Sequence, residues 1–282
     1  MEQLLLIAIG AAMQAGQSIL EIYETEFVVE HKADNSPLTL ADRRSHQILV
    51  DHLVSTHLPI LSEEGRDLPY EERRAWHTFW LLDPLDGTKE FVKRNGEFTV
   101  NIALIRKSQP VMGVIYVPVQ DVLYFGATDW GAYKLTGAAN QIASFAEALT
   151  DKREQFQNVC HVSQRLPLGS MAPGLITVVG SRSHSTPEVQ QIVDNLKKQY
   201  DEVNLISAGS SLKICMVAEG RAHLYPRTGP TMEWDTAAGQ AIAEAAGARL
   251  LVFDTEEPLR YNKENLRNPW FVVQSAAMDR LS

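Results

Sequence analysis

The apolar run over 4–13 continues through 14–23 with polar residues interleaved, and this periodicity predicts one amphipathic helix at the start of the chain. Asp34-Asn35-Ser36-Pro37 is a turn cluster, and Thr39 stands where a helix N-cap belongs. The helix it caps is predicted over 40–57, with Ile48, Leu49, Leu53 and Val54 as its apolar face and Asp42 in its first turn. Two short apolar runs, 59–62 and 79–82, read as strands, and both end in carboxylates. Four β-rich runs follow at 98–105, 111–117, 122–125 and 132–135, separated by short polar or Gly/Pro turns, which predicts an antiparallel meander. From 136 to 173 the periodicity is weak, and this stretch is expected to be a seam between halves or an insertion, with no functional reading. Beyond it strands at 176–180, 203–206, 222–225 and 249–253 alternate with helices at 187–200, 210–219 and 235–246, a pattern of strands layered with helices. The expected fold is an α/β sandwich, layered α-β-α-β-α. Its N-terminal half, 1–150, is α+β; its C-terminal half, 151–282, is α/β; the active site is expected between them.

Composition narrows the partners. With 282 residues, 45% of them hydrophobic, the chain can bury a large core. Its net charge of −9 argues against a nucleic-acid polymer, which is normally met by a basic face, but a small phosphate ester can bind through bridging cations. Two cysteines, Cys160 and Cys215, with no CxxC or neighbouring histidine pair, suggest neither a disulfide framework nor a zinc site. Met1-Glu2-Gln3 lacks the basic flank of a signal peptide, and stable membrane insertion is not expected. A cytoplasmic location follows, with peripheral contact at the inner membrane left open, as is the oligomeric state.

The sharpest local feature is Trp80-Leu81-Leu82-Asp83-Pro84-Leu85-Asp86-Gly87-Thr88. Apolar residues drive the strand inward, Pro84 interrupts its ladder and Gly87 permits a sharp turn, so that Asp83 and Asp86 project into one small space. Two anions held that close repel unless cations sit between them, and hard oxygen ligands suit Mg²⁺. Taken alone, Asp-Pro-X-Asp-Gly is also ordinary turn chemistry, Glu63-Glu64 a solvated acidic loop, Asp235 a helix N-cap and Asp42 a first-turn acid facing the helix dipole.

Together, Glu63-Glu64-Gly65, Asp83-Pro84-Leu85-Asp86-Gly87-Thr88 and Trp234-Asp235-Thr236-Ala237-Ala238-Gly239 resemble the signature motifs of the inositol monophosphatase superfamily, lithium-sensitive, magnesium-dependent phosphatases. Within it, Lys89-Glu90-Phe91 followed by 96–104 looks like the bacterial 3′(2′),5′-bisphosphate nucleotidases associated with sulfate assimilation. The resemblance implies hydrolysis of the 3′-phosphate of adenosine 3′,5′-bisphosphate. It makes Glu64, Asp83, Asp86, Asp235 and the Leu85 carbonyl the ligands of several Mg²⁺ ions, and Thr88 with Asp42 the pair that orients and deprotonates the attacking water. Substrate residues by the same resemblance are Glu64, Gly87, Thr88, Ser181, His184, Gly209, Ser210, Lys213, Arg227 and Asp235, with Lys213 and Arg227 suited to a second phosphate. The remaining histidines lack metal-ligand spacing and read as surface or helix-face residues, and Trp76 and Trp80 as core. An inositol or sugar-phosphate monophosphatase, and a non-catalytic metal- and nucleotide-binding protein, are the competing readings.

Overall fold

The structure, a computed structural model, describes residues 1–31, 37–148, 150–169, 174–181 and 186–278. The chain opens with α1 (Glu2–Tyr23), β1 (Glu30–His31), β2 (Pro37–Leu38), α2 (Leu40–Leu53), β3 (Ile60–Ser62) and α3 (Tyr70–Arg73). There follow β4 (Thr78–Asp86), α4 (Thr88–Val92), β5 (Thr99–Arg106), β6 (Gln109–Val117), β7 (Val122–Ala127), β8 (Gly131–Thr136), α5 (Ala138–Ala148), α6 (Lys152–Val162) and β9 (Gln164–Arg165). The second half contributes β10 (Leu175–Gly180), α7 (Pro187–Leu196), β11 (Glu202–Ser207), α8 (Leu212–Ala218), β12 (Leu224–Arg227), α9 (Glu233–Ala245), β13 (Arg249–Val252) and β14 (Phe271–Gln274). Strands β3 to β9 form a seven-stranded sheet in sequence order, and the five-stranded sheet runs β11-β10-β12-β14-β13.

Strand parity builds the layers. Within β4, Trp80 and Leu82 pack with α1, α2 and α6, whereas Phe79 and Leu81 face α8 and α9 on the opposite side of the sheet. A strand buried on both faces needs no polar alternation, which is why 79–82 is continuously apolar. The second core, under α8 and α9, is shared with Val179, Tyr225, Leu250 and Phe271 of the five-stranded sheet. Ile176, Val178 and Leu224 point the other way, toward Leu196 of α7. The result is the expected α-β-α-β-α stack. Helix α9 lies directly on β6: a Cβ on Gly113 would come within 2.2 Å of the Ala238 carbonyl oxygen, so this close packing requires glycine there. It also fixes where the N-terminal turn of α9, with its acids, ends up.

Four expectations change. The 136–173 stretch is no insertion where it is described, since α6 packs Phe156 and Val159 into the α1 core and β9 pairs with β8; the passage from the first sheet to the second falls only at its end, between Arg165 and Leu175. Elements beyond residue 150 therefore complete the first sheet and its outer layer. Strand β14 was not foreseen; it pairs antiparallel with both β12 and β13. His223 is buried rather than superficial, its Nδ1 accepting the Thr177 N–H at 2.8 Å. Helix α9 starts at Glu233, which places Asp235 inside the first turn instead of at the cap.

Candidate active site

The site begins where β3 and β4 end. The two strands are parallel and paired Ile60 with Trp80, Leu61 with Leu81 and Ser62 with Leu82, and the Glu63 N–H donates to the Leu82 carbonyl at 3.1 Å. One step further along that register, Glu63 is level with Asp83. On the other edge β4 pairs with β5, Asp83 opposite Asn101 and Asp86 opposite Thr99. Pro84 and Leu85 thus oppose the single residue Val100, a bulge. Residues three apart in a regular strand point to opposite faces; the extra residue puts Asp83 and Asp86 on the same one. Proline has no N–H to lose at that point, and its carbonyl accepts the Ser45 hydroxyl of α2 at 2.6 Å.

Asp235 arrives from the first turn of α9, where its carboxylate accepts the Met232 N–H at 2.8 Å. One carboxylate oxygen from each of Asp83, Asp86 and Asp235 lies within 4.8 Å of the others. The charges are poorly compensated. Burial, then Glu63, Asp86 and Asp235, push the Asp83 carboxyl well above the ordinary carboxylate range, and burial with Asp86 does the same to Asp235. Of the two adjacent glutamates, Glu63 is the one beside these aspartates. Glu63 hydrogen-bonds Asp83 and adds charge to Asp83 and Asp235, whereas the field of Glu64 falls on His46, a ring hydrogen-bonded to Ser62. Only a parallel, in-register pairing of β3 with β4 distinguishes the two, and no local motif carries that information.

A hard divalent cation fits this donor set, because buried carboxylates held at such separations cannot all ionise without one. The Leu85 carbonyl lies at the same strand end, 3.4 Å from Thr88 Oγ1. Gly87, at φ +90°, turns the chain between Asp86 and α4 in a conformation that other residues adopt only under strain. Thr88 Oγ1 donates to Asp42 Oδ1 at 3.3 Å. Asp42 is buried, and its other oxygen accepts the N–H and the hydroxyl of Thr39, both at 2.7 Å. It serves as the capping acid of α2 and faces Thr88 as well; the two readings of this residue are compatible.

Asp86, Gly87 and Asp235 also line a cavity of about 210 Å³ whose lining includes basic side chains as well. Ser181, Gly209, Ser210, Lys213 and Arg227 all reach it; His184 lies outside the described residues. Lys213 is buried, with its ammonium on the Ala208 and Ser210 carbonyls, and burial pushes it down to about 8. Arg227 donates to Ser181 Oγ at 2.8 Å and to the Pro230 carbonyl at 3.1 Å, while its Nε and the Ser210 hydroxyl are buried without a partner among the described residues. Ser210 is held at φ +42°. Such orphaned donors are what a polar ligand would satisfy. Lys89 in α4 and Lys93 at its C-cap, one turn apart, bring two more cations to the cavity. Sequence reasoning missed them, although their spacing of four on a helix next to the acid motif was the signal.

The sequence profile of the inositol monophosphatase family matches residues 1–277. A 3′(2′),5′-bisphosphate nucleotidase CysQ of Escherichia coli (strain K12) is 44% identical over 269 residues, spanning 93% of this chain and 96% of that protein. The protein of the same name from Haemophilus influenzae is 34% identical over 278 residues, spanning 97% and 91%. Among solved structures, CysQ from Bacteroides thetaiotaomicron superposes with a TM-score of 0.84 at 52% identity, covering 96% of both chains.

Proposed function

The chain belongs to the inositol monophosphatase family, and from that premise we propose that it is a 3′(2′),5′-bisphosphate nucleotidase, converting adenosine 3′,5′-bisphosphate and water to AMP and phosphate. One observation carries the choice of substrate. The carboxylates and the cations share a cavity, which Asp86 and Asp235 line together with Lys213 and Arg227. A substrate with one phosphate for the acidic side and a second for the basic side uses both; an inositol monophosphate leaves Lys213 and Arg227 without an anion. The relatives of that name, matched over nearly their whole length, point the same way.

Glu63, Asp83, Asp86, Asp235 and the Leu85 carbonyl would hold Mg²⁺. Bound there, the ions lower the pKa of a coordinated water and neutralise charge on the phosphate and the departing 3′-oxygen. The protein's own task is orientation. Thr88 Oγ1, with its proton directed to Asp42, keeps lone pairs free to accept from the attacking water, and Asp42 is the acceptor toward which that proton's charge is drawn. The backbone at Gly87 leaves room for a phosphate next to Thr88. Lys213 and Arg227 would fix the 5′-phosphate, Arg227 as a planar fork and Lys213 as a point charge. Ser181, Gly209 and Ser210 line the space for the ribose and base, and His184 joins them in this reading. Lithium sensitivity, a place in sulfur metabolism and a cytoplasmic setting go with the reading. Helix α1 is long and apolar enough to cross a membrane, yet it packs Leu5, Ala8, Ile9, Ala12 and Ile19 into the core.

The test is phosphate release from adenosine 3′,5′-bisphosphate with Mg²⁺ or EDTA, beside inositol monophosphate. Magnesium-dependent release that favours the bisphosphate is expected. Faster turnover of the inositol ester would keep the metal chemistry and reject the substrate.

A further inference from the structure

Ser211 stands at the N-cap of α8, where a serine ordinarily turns its hydroxyl back to an N–H of the helix it precedes. Here it makes no capping bond. Its hydroxyl instead donates to Asp86 Oδ2 at 2.6 Å, with the Asp235 carbonyl oxygen at 3.2 Å. The hydroxyl has one proton, and the shorter contact takes it. Asn101 supplies a second donor: its Nδ2 reaches Ser211 Oγ at 2.7 Å and Asp86 Oδ2 at 3.3 Å. The Thr99 hydroxyl donates to the Asn101 side-chain carbonyl at 2.9 Å, which sets the orientation of the amide. Thr99, Asn101 and Ser211 are all buried, at 0%, 1% and 2% exposure, so water offers these groups little competition.

The arrangement crosses the molecule. Thr99 and Asn101 belong to β5 of the first sheet, opposite Asp86 and Asp83 across the bulge, whereas Ser211 comes from the second half, between Ser210 and Lys213 of the cavity lining. One oxygen of Asp86 is therefore held by two neutral donors.

We propose that Ser211, aligned by Asn101, is a positioning residue: it fixes the rotamer of Asp86 for metal binding and ties the substrate loop 209–213 to the metal site. This rests on the metal-centre reading above. Partners that orient a metal-binding carboxylate are commonly worth roughly ten- to a hundredfold in affinity.

Mn²⁺ titrated calorimetrically into the EDTA-treated and dialysed protein tests it without recourse to turnover. Wild type, Ser211→Ala, Asn101→Ala and the double variant are compared, each with the melting temperature of its metal-free form. We expect Ser211→Ala to weaken Mn²⁺ binding about tenfold or more and Asn101→Ala to weaken it less. The double variant should lose little more than Ser211→Ala alone, because the amide's shorter contact, 2.7 Å against 3.3 Å, is to the hydroxyl rather than to Asp86. Metal-free melting of Ser211→Ala should stay close to wild type. An Mn²⁺ affinity of Ser211→Ala within twofold of wild type would overturn the inference, whatever happens to the melting temperature, since a purely structural role lowers the latter and spares the former. Wild-type protein that binds no Mn²⁺ would overturn the metal-centre reading first and this inference with it.

Discussion

The two charged groups of the cleft are built on opposite principles. The acidic group is made from strand ends and a helix start inside the core; Asp83 is 1% exposed, and Asp83 and Asp235 are pushed well up by burial and mutual repulsion. The basic group is graded, with Lys213 buried on backbone carbonyls, Arg227 half-buried and Lys89 and Lys93 on the surface at α4. In the proposed function the acidic group, strained electrostatically on its own, holds the cations and so the place of the chemistry, and the basic group selects the anion. A buried like-charge cluster is an unusual thing for a fold to maintain, and a ligand that binds only the folded state is the physical reason it can persist.

The largest effect expected from breaking that contrast is on the acidic side. Asp83→Asn keeps the shape and removes a ligand charge worth several kcal/mol in the transition state, so kcat should fall about a thousandfold or more in phosphate-release assays. The same variant should raise the stability of the metal-free protein. A carboxyl raised in the folded state contributes stability present below its unfolded pKa and lost as pH rises. The gap in melting temperature between Asp83→Asn and wild type in EDTA should therefore be near zero below about pH 4 and widen toward pH 8. A variant that melts lower than wild type at pH 8 in EDTA would contradict the repulsion argument.

On the basic side, Lys213→Met should raise KM for adenosine 3′,5′-bisphosphate by about 30-fold, as expected for losing a buried charge-assisted contact, with a smaller change in kcat. Because the ammonium is depressed to about 8, wild-type KM should climb as pH passes from 8 to 9.5, while that of Lys213→Met stays flat over the same interval. Equal slopes would remove Lys213 from the anion site.

The choice between adjacent glutamates gives a third, intermediate test. Glu63→Gln should weaken Mg²⁺ activation about tenfold, and Glu64→Gln should leave it within about twofold, read as the Mg²⁺ concentration for half-maximal activity. The reverse order would restore Glu64 as the ligand. Smallest of all should be Lys89→Ala and Lys93→Ala, each raising KM a few-fold at low ionic strength, with the effect fading as salt screens these exposed charges.

Much of this was legible in the chain. The apolar periods located α1, α2 and ten of the fourteen strands among the described residues, missing the two-residue β1, β2 and β9 as well as β14, and Thr39 with Asp42 marked the start of α2, where the capping pair is found. The carboxylates announced themselves by standing at strand ends, next to Pro84 and Gly87. Less legible were α5, a short alanine-rich helix, α6, whose polar composition hid its apolar face, and β14, a four-residue strand with too little length for a pattern.

What the sequence determined by itself were properties carried by neighbours along the chain: helix and strand periods, caps, turns and the presence of acids in motifs. The tertiary structure alone decided which of those acids meet. The register of β3 on β4 selects Glu63 over Glu64, the bulge opposite Val100 turns Asp83 and Asp86 to one face, and the seating of Ala238 on Gly113 brings Asp235 to them from about 150 residues away along the chain. These are non-local pairings, fixed by the burial of whole faces rather than by local conformational preference, and a one-residue slip in any of them would point a carboxylate at the wrong side of the sheet.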